Sequence, residues 1–199
     1  MRQLIRSQTI PDIPAPNEAG QKFTAGRRHT TATRLLMMLM LLFSRTTASS
    51  IDSHRQLDFY HTHTKESLSV VYHDGRDYVP AALEQINNFL SDFRNGAKHP
   101  IDPATLDILF RLRAHFGGAN TFEIISAYRS PETNAMLRAK GRDVARRSLH
   151  MEGKAIDARL RSVDTASLRD AAIALQLGGV GYYQASDFVH VDNGRVRTW

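Results

Sequence analysis

The alternation of hydrophobic and polar residues predicts a series of short β-strands. Six stretches have this character: 55–61, 67–72, 122–126, 155–160, 180–183 and 188–191. Polar residues 62–66 join the first two stretches, which predicts a β-hairpin. In 155–160 the residues Ala155, Asp157 and Arg159 share one face, so that the apolar residues between them face the other way.

Apolar residues at helical spacing predict four helices among these strands. Two of them begin at an N-cap residue followed by proline, a combination typical of the first helical turn. The predicted helices cover about 80–94, Asp102-Pro103 to Gly117-Gly118, Ser130-Pro131 to about Gly141, and Asp164 or Thr165 to Gly178-Gly179. Helices first and closely spaced strands later predict an α+β fold, with a small antiparallel sheet on which the helices pack.

Charge is distributed unevenly along the chain. Residues 1–48 hold seven Lys and Arg against two acids, whereas the whole chain of 199 residues has a formal net charge of +6. Residues 49–199 are therefore nearly neutral, at +1, which argues against a nucleic-acid partner. The chain has no cysteine, so disulfides and thiolate zinc sites are excluded.

The N-terminal segment has the pattern of an export signal. Arg27-Arg28 and Arg34 precede an uncharged apolar run at 35–43, and small residues follow at 46–48. Such a run is short for a membrane span, so we expect residues 1–48 to be a disordered leader with a secretory signal. The alternatives are a buried helix or an uncleaved anchor. Export by the Sec or twin-arginine route predicts a periplasmic domain at 49–199, without a stable membrane anchor after cleavage.

Candidate metal ligands lie in two segments. Ser148-Leu-His-Met-Glu-Gly-Lys-Ala-Ile-Asp157 supplies His150 and Asp157, and Asp187-Phe-Val-His190 supplies a second histidine. Two imidazoles and one carboxylate suit a catalytic zinc, whose fourth position holds water. Such a zinc lowers the pKa of its water and polarises a bound carbonyl.

Strand geometry allows these ligands to meet. Two adjacent strands could place Asp157 beside His190, and Gly153 would let His150 turn back onto the metal. Taken singly, each of these residues is better explained as a surface or half-buried polar residue. His61 and His63 also lie two residues apart, but a polar hairpin turn explains them better.

The spacing carries a resemblance to a known family. Ser148, His150, Gly153, Ala155 and Asp157, followed by a distal His-Val-Asp, resemble the zinc peptidases of the M15 group. Residues 126–130, Ser-Ala-Tyr-Arg-Ser, resemble the Ser-Gly-Tyr-Arg-Ser segment of the same group. The closest resemblance is to the exported murein endopeptidase K branch, and it covers roughly residues 55–199.

This resemblance implies a hedgehog/D-Ala-D-Ala peptidase-like fold and one zinc ion bound by His150, Asp157 and His190. Arg129 matches the arginine that holds a substrate carboxylate or carbonyl, although it could also form a salt bridge at the start of a helix. Asp187 matches an acid that serves as general base in some members, although it could instead only cap the turn before the last strand.

The resemblance also leaves open the roles of two serines. Ser126 and Ser148 match positions where a hydroxyl could orient ligands or substrate, but either hydroxyl could also simply cap a turn.

The implied function is that of an exported zinc metallopeptidase, a murein endopeptidase in which zinc-activated water attacks peptide cross-links of peptidoglycan. Two alternatives stay open: a noncatalytic cell-wall-binding module with structural zinc, and a D,D-carboxypeptidase. The residues do not decide whether an L,D or a D,D bond is cut. We expect peptidoglycan as the partner and a monomeric protein.

Overall fold

A seven-stranded sheet lies at the centre of the part of the chain that the computed structural model describes, residues 54–141 and 144–199. Its strands are β1 (His54–His61), β2 (Ser67–Asp74), β3 (Phe122–Ser126), β4 (Ala155–Leu160), β5 (Gly179–Tyr183), β6 (Phe188–Asp192) and β7 (Arg197–Thr198). The spatial order is β2-β1-β3-β4-β6-β5-β7. The predicted leader and signal lie outside the described residues.

Four α-helices accompany the sheet in the described ranges. They are α1 (Pro80–Phe89), α2 (Pro103–His115), α3 (Pro131–Ala139) and α4 (Thr165–Leu175). The predicted N-caps are confirmed, because the side chains of Asp102, Ser130 and Asp164 each accept a hydrogen bond from a backbone N–H of the first turn. None of the helices is long and apolar enough to cross a membrane.

The α+β class is confirmed, but the sheet is mixed rather than antiparallel throughout. The pairs β1–β3 and β5–β7 are parallel, and the other four strand pairs are antiparallel. The chain returns from β2 to β3 through α1 and α2, and a helical crossover of this kind allows β3 to run parallel to β1.

The first helix is shorter than the predicted 80–94. It ends at Phe89 because a tight turn follows, in which the backbone oxygen of Asp92 accepts hydrogen bonds from the N–H groups of Asn95 and Gly96. Phe93 therefore lies on this turn and not on α1. The carboxylate of Asp92 also accepts a hydrogen bond from the backbone N–H of the residue before α3.

The predicted alternation in β4 separates a packed face from a functional face. Ile156 and Ala158 of β4 join Val189 and Val191 of β6 in the hydrophobic core, on which α2 and α4 pack. The intervening residues Asp157 and His190 point to the opposite face, so the same two strands serve both the core and the site.

Candidate metal centre and active-site cleft

Three ligand-type side chains converge on one point of the sheet. His150 Nε2 lies 3.2 Å from Asp157 Oδ1 and 3.2 Å from His190 Nδ1, and the last two atoms are 2.8 Å apart. Ligand atoms around a tetrahedral zinc at about 2.0–2.1 Å are separated by roughly 3.3 Å. The three residues are between 3% and 8% exposed. Their geometry therefore fits a small divalent cation with little rearrangement.

Local structure explains why these side chains meet. Asp157 and His190 are Cα partners in the antiparallel pair β4–β6, so their side chains leave the sheet side by side. His150 comes from a 3₁₀ turn, Leu149–Glu152, which ends at Gly153 in the left-handed conformation with φ 66°. A Cβ on Gly153 would lie 2.0 Å from the carbonyl oxygen of Pro100, so only glycine fits this return.

Both imidazoles are held through their second nitrogen. His150 Nδ1 lies 2.7 Å from the carbonyl oxygen of Ala127, to which it donates, so the lone pair is on Nε2. His190 Nε2 lies 2.9 Å from Asp192 Oδ2, and donation there leaves the lone pair of the neutral ring on Nδ1. Each histidine thus presents to the shared point the nitrogen that can bind a metal.

Asp192 contacts the candidate ligand His190, and the sequence analysis assigned it no role. It is fully buried, and besides His190 it contacts Arg197 through both carboxylate oxygens, at 2.7 and 3.0 Å. The backbone N–H groups of Gly179 and Gly194 donate to its Oδ1. Its position two residues after His190, on the same strand face, is the signal that could have identified it.

Two of the three groups have the charge state that a bound cation requires, and the third would have to release a proton. Burial lowers the pKa of His150, which favours the neutral ring. Burial would raise the pKa of Asp157, but the two neighbouring imidazoles outweigh it and hold that pKa below its ordinary value. Burial likewise opposes charge on His190, yet its hydrogen bonds to Asp157 and Asp192 raise its pKa to about 8, so a metal ion would displace a proton from Nδ1. An ionised carboxylate is thus already present where a metal ion requires one.

The cluster lies in an open cleft of about 690 Å³, which Arg129 also lines. The guanidinium of Arg129 donates to Asn134 Oδ1 at 3.4 Å, and its Nη2 lies 3.8 Å from Asp157 Oδ2. Its Nε has no hydrogen-bond partner although the residue is only 8% exposed. The structure therefore brings Arg129 to the three candidate ligands, and its Nε–H group has not been used in a hydrogen bond.

Asp187 is not brought to this cluster. Its carboxylate accepts hydrogen bonds from Arg159 at 2.9 Å and from Thr165 at 3.0 Å, and it does not line the cleft. The residue itself has a left-handed backbone, with φ 52°, at the entry to β6. These contacts favour the alternative that this acid stabilises the turn.

The two serines of the motif differ in their surroundings. Ser148 caps the 3₁₀ turn, because its hydroxyl accepts a hydrogen bond from the N–H of His150 at 3.4 Å. The hydroxyl of Ser126 is buried without a hydrogen-bond partner, and the residue lines the cleft. Ser148 lines the cleft as well, so what distinguishes Ser126 is a hydroxyl without a hydrogen-bond partner.

The two histidines of the β1–β2 hairpin, His61 and His63, also lie in different surroundings. Nδ1 of His61 accepts hydrogen bonds from the N–H groups of His63 and Thr64, which confirms the interpretation of His61 as a turn residue. His63, in contrast, lines the cleft together with Arg94. No local pattern indicated this, because the hairpin reaches the cleft only through the tertiary fold.

Comparison with known proteins agrees with the motif. The family model described as Peptidoglycan L,D-endopeptidase MepK, of the peptidase M15 group, matches residues 49–199. A protein of Escherichia coli K12 named Peptidoglycan L,D-endopeptidase MepK is 40% identical over 145 residues, which cover 73% of this chain and 80% of the relative. A protein of Haemophilus influenzae named Probable peptidoglycan L,D-endopeptidase MepK is 39% identical over 146 residues, 73% of this chain and 78% of the relative.

No solved structure matches the chain significantly. The family model nevertheless spans every element described above, from β1 to β7, and includes the three candidate ligands and Arg129. The resemblance inferred from the spacing of a few residues is thereby confirmed over the whole domain, and the chain belongs to the M15 peptidase family described as peptidoglycan L,D-endopeptidase MepK.

Proposed function

We propose that this protein is a zinc-dependent peptidoglycan hydrolase that cleaves L,D cross-links. The observation that carries the proposal is the convergence of His150 Nε2, Asp157 Oδ1 and His190 Nδ1 in a cleft shared with Arg129, in a member of a metal-dependent peptidase family. The names of the similar proteins from Escherichia coli and Haemophilus influenzae supply the type of bond.

The ligand set favours a catalytic over a structural metal. Two imidazoles and one carboxylate suit zinc, and within the described residues this group of potential ligands has three members. Three protein ligands leave a position for water or substrate, whereas structural zinc sites are closed by four. This argues against the alternative of a wall-binding module with structural zinc.

Each part of the cleft then has a task in hydrolysis. A zinc ion bound there would supply an acidified water and a Lewis acid for the scissile carbonyl. Arg129 would hold a substrate carboxylate or carbonyl oxygen through its planar fork of donors. Ser126 would offer a hydrogen bond to the peptide. A cross-link that remains attached to polymer on both sides would require a cleft that is open to solvent, as this one is.

We propose further that the domain works outside the cytoplasm, since peptidoglycan, its proposed substrate, lies there. The family match begins at residue 49, where the predicted leader and signal end, and this supports the division into 1–48 and 49–199. Processing at the signal can be checked by N-terminal sequencing of the protein recovered from the periplasm.

The proposed function is tested by mass spectrometry of muropeptides after isolated sacculi are incubated with the purified protein, with zinc or with a chelator. We expect zinc-dependent fragments whose masses correspond to opened L,D cross-links. Release of terminal D-alanine instead would indicate a D,D-carboxypeptidase. Absence of fragments from a folded, zinc-loaded protein would support the wall-binding module.

Substitution of Asp192 by asparagine is expected to weaken zinc binding by about 10- to 100-fold, the usual effect of losing a carboxylate that orients a ligating histidine. The amide keeps the shape but removes the charge that faces His190 Nε2. Titration calorimetry with zinc measures the change.

Asp170→Asn is the matched control, because Asp170 is an exposed acid on α4. Since Asp192 also binds Arg197, the melting temperature of the metal-free protein should be recorded, so that a general loss of stability is recognised. Unchanged zinc affinity in a folded D192N protein would contradict the positioning role.

Substitution of Asp187 by asparagine distinguishes a general base from a turn residue. Loss of a general base lowers the rate by about 10²- to 10⁴-fold. Because the Asp187 carboxylate is engaged with Arg159 and Thr165, we expect the kcat of D187N on cross-linked muropeptides to change by less than about threefold, which is roughly 0.6 kcal/mol of activation free energy. A hundredfold loss with an unchanged melting temperature would assign the base to Asp187 after all.

A further inference from the structure

The cleft differs in chemistry on the two flanks of the metal centre. At the end of β3 its lining includes Ser126 and Arg129, whose hydroxyl and Nε have no hydrogen-bond partner. On the side of β5, β6 and β7 three aromatic side chains line it, those of Tyr183, Phe188 and Trp199, which we call the aromatic wall. A molecule that spans the metal centre therefore meets hydrogen-bonding groups at one end and apolar rings at the other.

The register of four strands sets this arrangement. Ser126, Asp157, His190 and Gly181 are successive Cα partners across β3, β4, β6 and β5. Neighbouring strands lie about 4.8 Å apart, so the row places Ser126 on one flank of the two candidate ligands and Gly181 on the other. Tyr183 follows Gly181 by two residues on β5 and therefore shares its face of the sheet.

The indole of Trp199 occupies the place of the side chain that Gly181 lacks. A Cβ on Gly181 would lie 2.6 Å from Cε2 of Trp199, so only glycine leaves room for the indole there. The backbone of Trp199 is held on β5 by hydrogen bonds with Val180 and Tyr182. As a result the indole lies beside the candidate ligand His190, with 5.1 Å between the ring centres.

The aromatic wall is connected and held in place. The indole N–H of Trp199 donates to the hydroxyl oxygen of Tyr183 at 3.1 Å, and the Tyr183 ring stacks on Phe188 at 4.6 Å and an interplanar angle of 16°. The guanidinium of Arg197, which is bound to Asp192, lies 4.9 Å from the centre of the indole. Trp199 is nevertheless 50% exposed. A large aromatic side chain that is fixed and yet half exposed in a cleft is suited to contact a ligand.

The two ends of a cross-link match the two flanks of the cleft. The amide of a peptidoglycan cross-link joins a carbonyl group of one stem peptide to an amine on a side chain of the other. The carbonyl end offers oxygen atoms that accept hydrogen bonds, for which Arg129 and Ser126 have unused donors. The amine end is reached through a chain of methylene groups, which gains free energy by leaving water for an aromatic surface.

We propose that the aromatic wall, with Trp199 as its main contact, binds the methylene chain of the diamino acid whose side-chain amine belongs to the amide that is cut. This inference deepens the proposed function and rests on it for the nature of the substrate. It gives the direction in which the cross-link lies across the metal centre, with the carbonyl end at Arg129 and the amine end at Trp199. The wall thus selects substrates with a long aliphatic chain at the amine end.

Peptides that differ only in the length of this chain test the subsite. Each probe is a stem peptide in which the diamino acid has an acetylated side-chain amine, carried on four methylenes in lysine or on one in diaminopropionic acid. Calorimetry with the zinc-loaded protein measures binding, and mass spectrometry verifies that the probe stays intact. A fully buried methylene group raises affinity by about fourfold.

Because the wall covers only one side of the chain, we expect the lysine probe to bind about tenfold more tightly than the short probe, less than full burial of three methylenes would give. In the Trp199→Ala protein the two affinities should agree within about twofold. Equal binding of both probes by the unmutated protein, or an undiminished preference in a folded W199A protein, would overturn the subsite. Trp199-dependent binding of a peptide-free glycan fragment, without a chain-length preference, would also overturn it and make the wall a sugar platform.

Two further variants serve as controls. Val196→Ala removes an apolar side chain that is also 50% exposed but does not line the cleft, so V196A should keep the full preference. Trp199→Phe keeps an aromatic ring and should keep part of the preference, which protects the test if W199A folds poorly. No preference in a folded W199F protein that still binds the short probe normally would agree with a contact that needs the whole indole.

The outcome can be separated from that of the proposed function. Binding of the acetylated probes does not require hydrolysis, whereas the muropeptide assay requires it. A Trp199-dependent preference for the longer chain, without zinc-dependent fragments from sacculi, would support the subsite and refute the hydrolase. Zinc-dependent cleavage of L,D cross-links together with equal binding of the two probes would do the reverse.

Discussion

Replacement of His190 by alanine is expected to lower the cleavage of peptidoglycan cross-links by on the order of a thousandfold and to abolish tight zinc binding. Lewis-acid stabilisation by a bound metal contributes several kcal/mol to the transition state, and about 4 kcal/mol corresponds to that factor. The Nδ1 atom of His190 lies within 3.2 Å of both other candidate ligand atoms, and no described His, Cys, Asp or Glu could replace it in the group.

Two measurements check this expectation: kcat/KM on purified cross-linked muropeptides, and zinc affinity by calorimetry. His115→Ala is the matched control, since it removes an exposed imidazole at the end of α2. The melting temperatures of the metal-free proteins should be compared, because His190 is buried and also contacts Trp199. Full activity in a folded H190A protein would remove His190 from the metal centre.

The candidate ligands could be predicted from the sequence because the simple geometry of β-strands determines where their side chains lie. Side chains alternate along a strand, so the apolar residues around Asp157 and His190 already indicated which face each acid or imidazole occupies. Direct pairing of β4 with β6 then brings the two side chains together. Gly153 indicated the turn that brings His150, the third candidate ligand, to the other two. The left-handed conformation at this position favours glycine.

Asp187 shows where spacing alone is insufficient. A separation of three residues from His190 fits an acid beside the metal only if the chain between them runs in a suitable direction. Asp187 instead adopts a left-handed conformation before β6 begins, and its carboxylate turns to Arg159 and Thr165. The sequence of residues 187–190 is compatible with both roles of Asp187, general base and turn residue. Only the three-dimensional course of the chain distinguishes them.

The remaining parts of the site depend on contacts between distant segments. The two-residue strand β7 has no recognisable hydrophobic period, yet it supplies the Arg197 that holds Asp192. His63 from the β1–β2 hairpin stacks on Phe93 from the turn after α1, thirty residues later. Neither contact has a local signature, because each arises only when the sheet and helices have assembled.

Replacement of Arg129 by glutamine is expected to lower kcat by about 10²- to 10³-fold while zinc binding persists, in contrast to the loss in H190A. Removal of one preorganised donor that stabilises developing charge typically has this effect. The expectation rests on the buried guanidinium, which lies 3.8 Å from Asp157 Oδ2 and has an Nε without a partner. Because a positive charge near a cation opposes its binding, zinc affinity should be unchanged or slightly higher in R129Q.

Single-turnover cleavage and zinc calorimetry on the same preparations check both parts of this expectation. Arg138→Gln is a suitable control, since Arg138 is exposed on α3 and does not line the cleft. Arg129→Lys should recover only part of the rate, because a single ammonium cannot reproduce the planar fork. Loss of zinc together with activity would instead make Arg129 a structural support of the metal centre, and unchanged kcat in R129Q would mean that it contacts no reacting group.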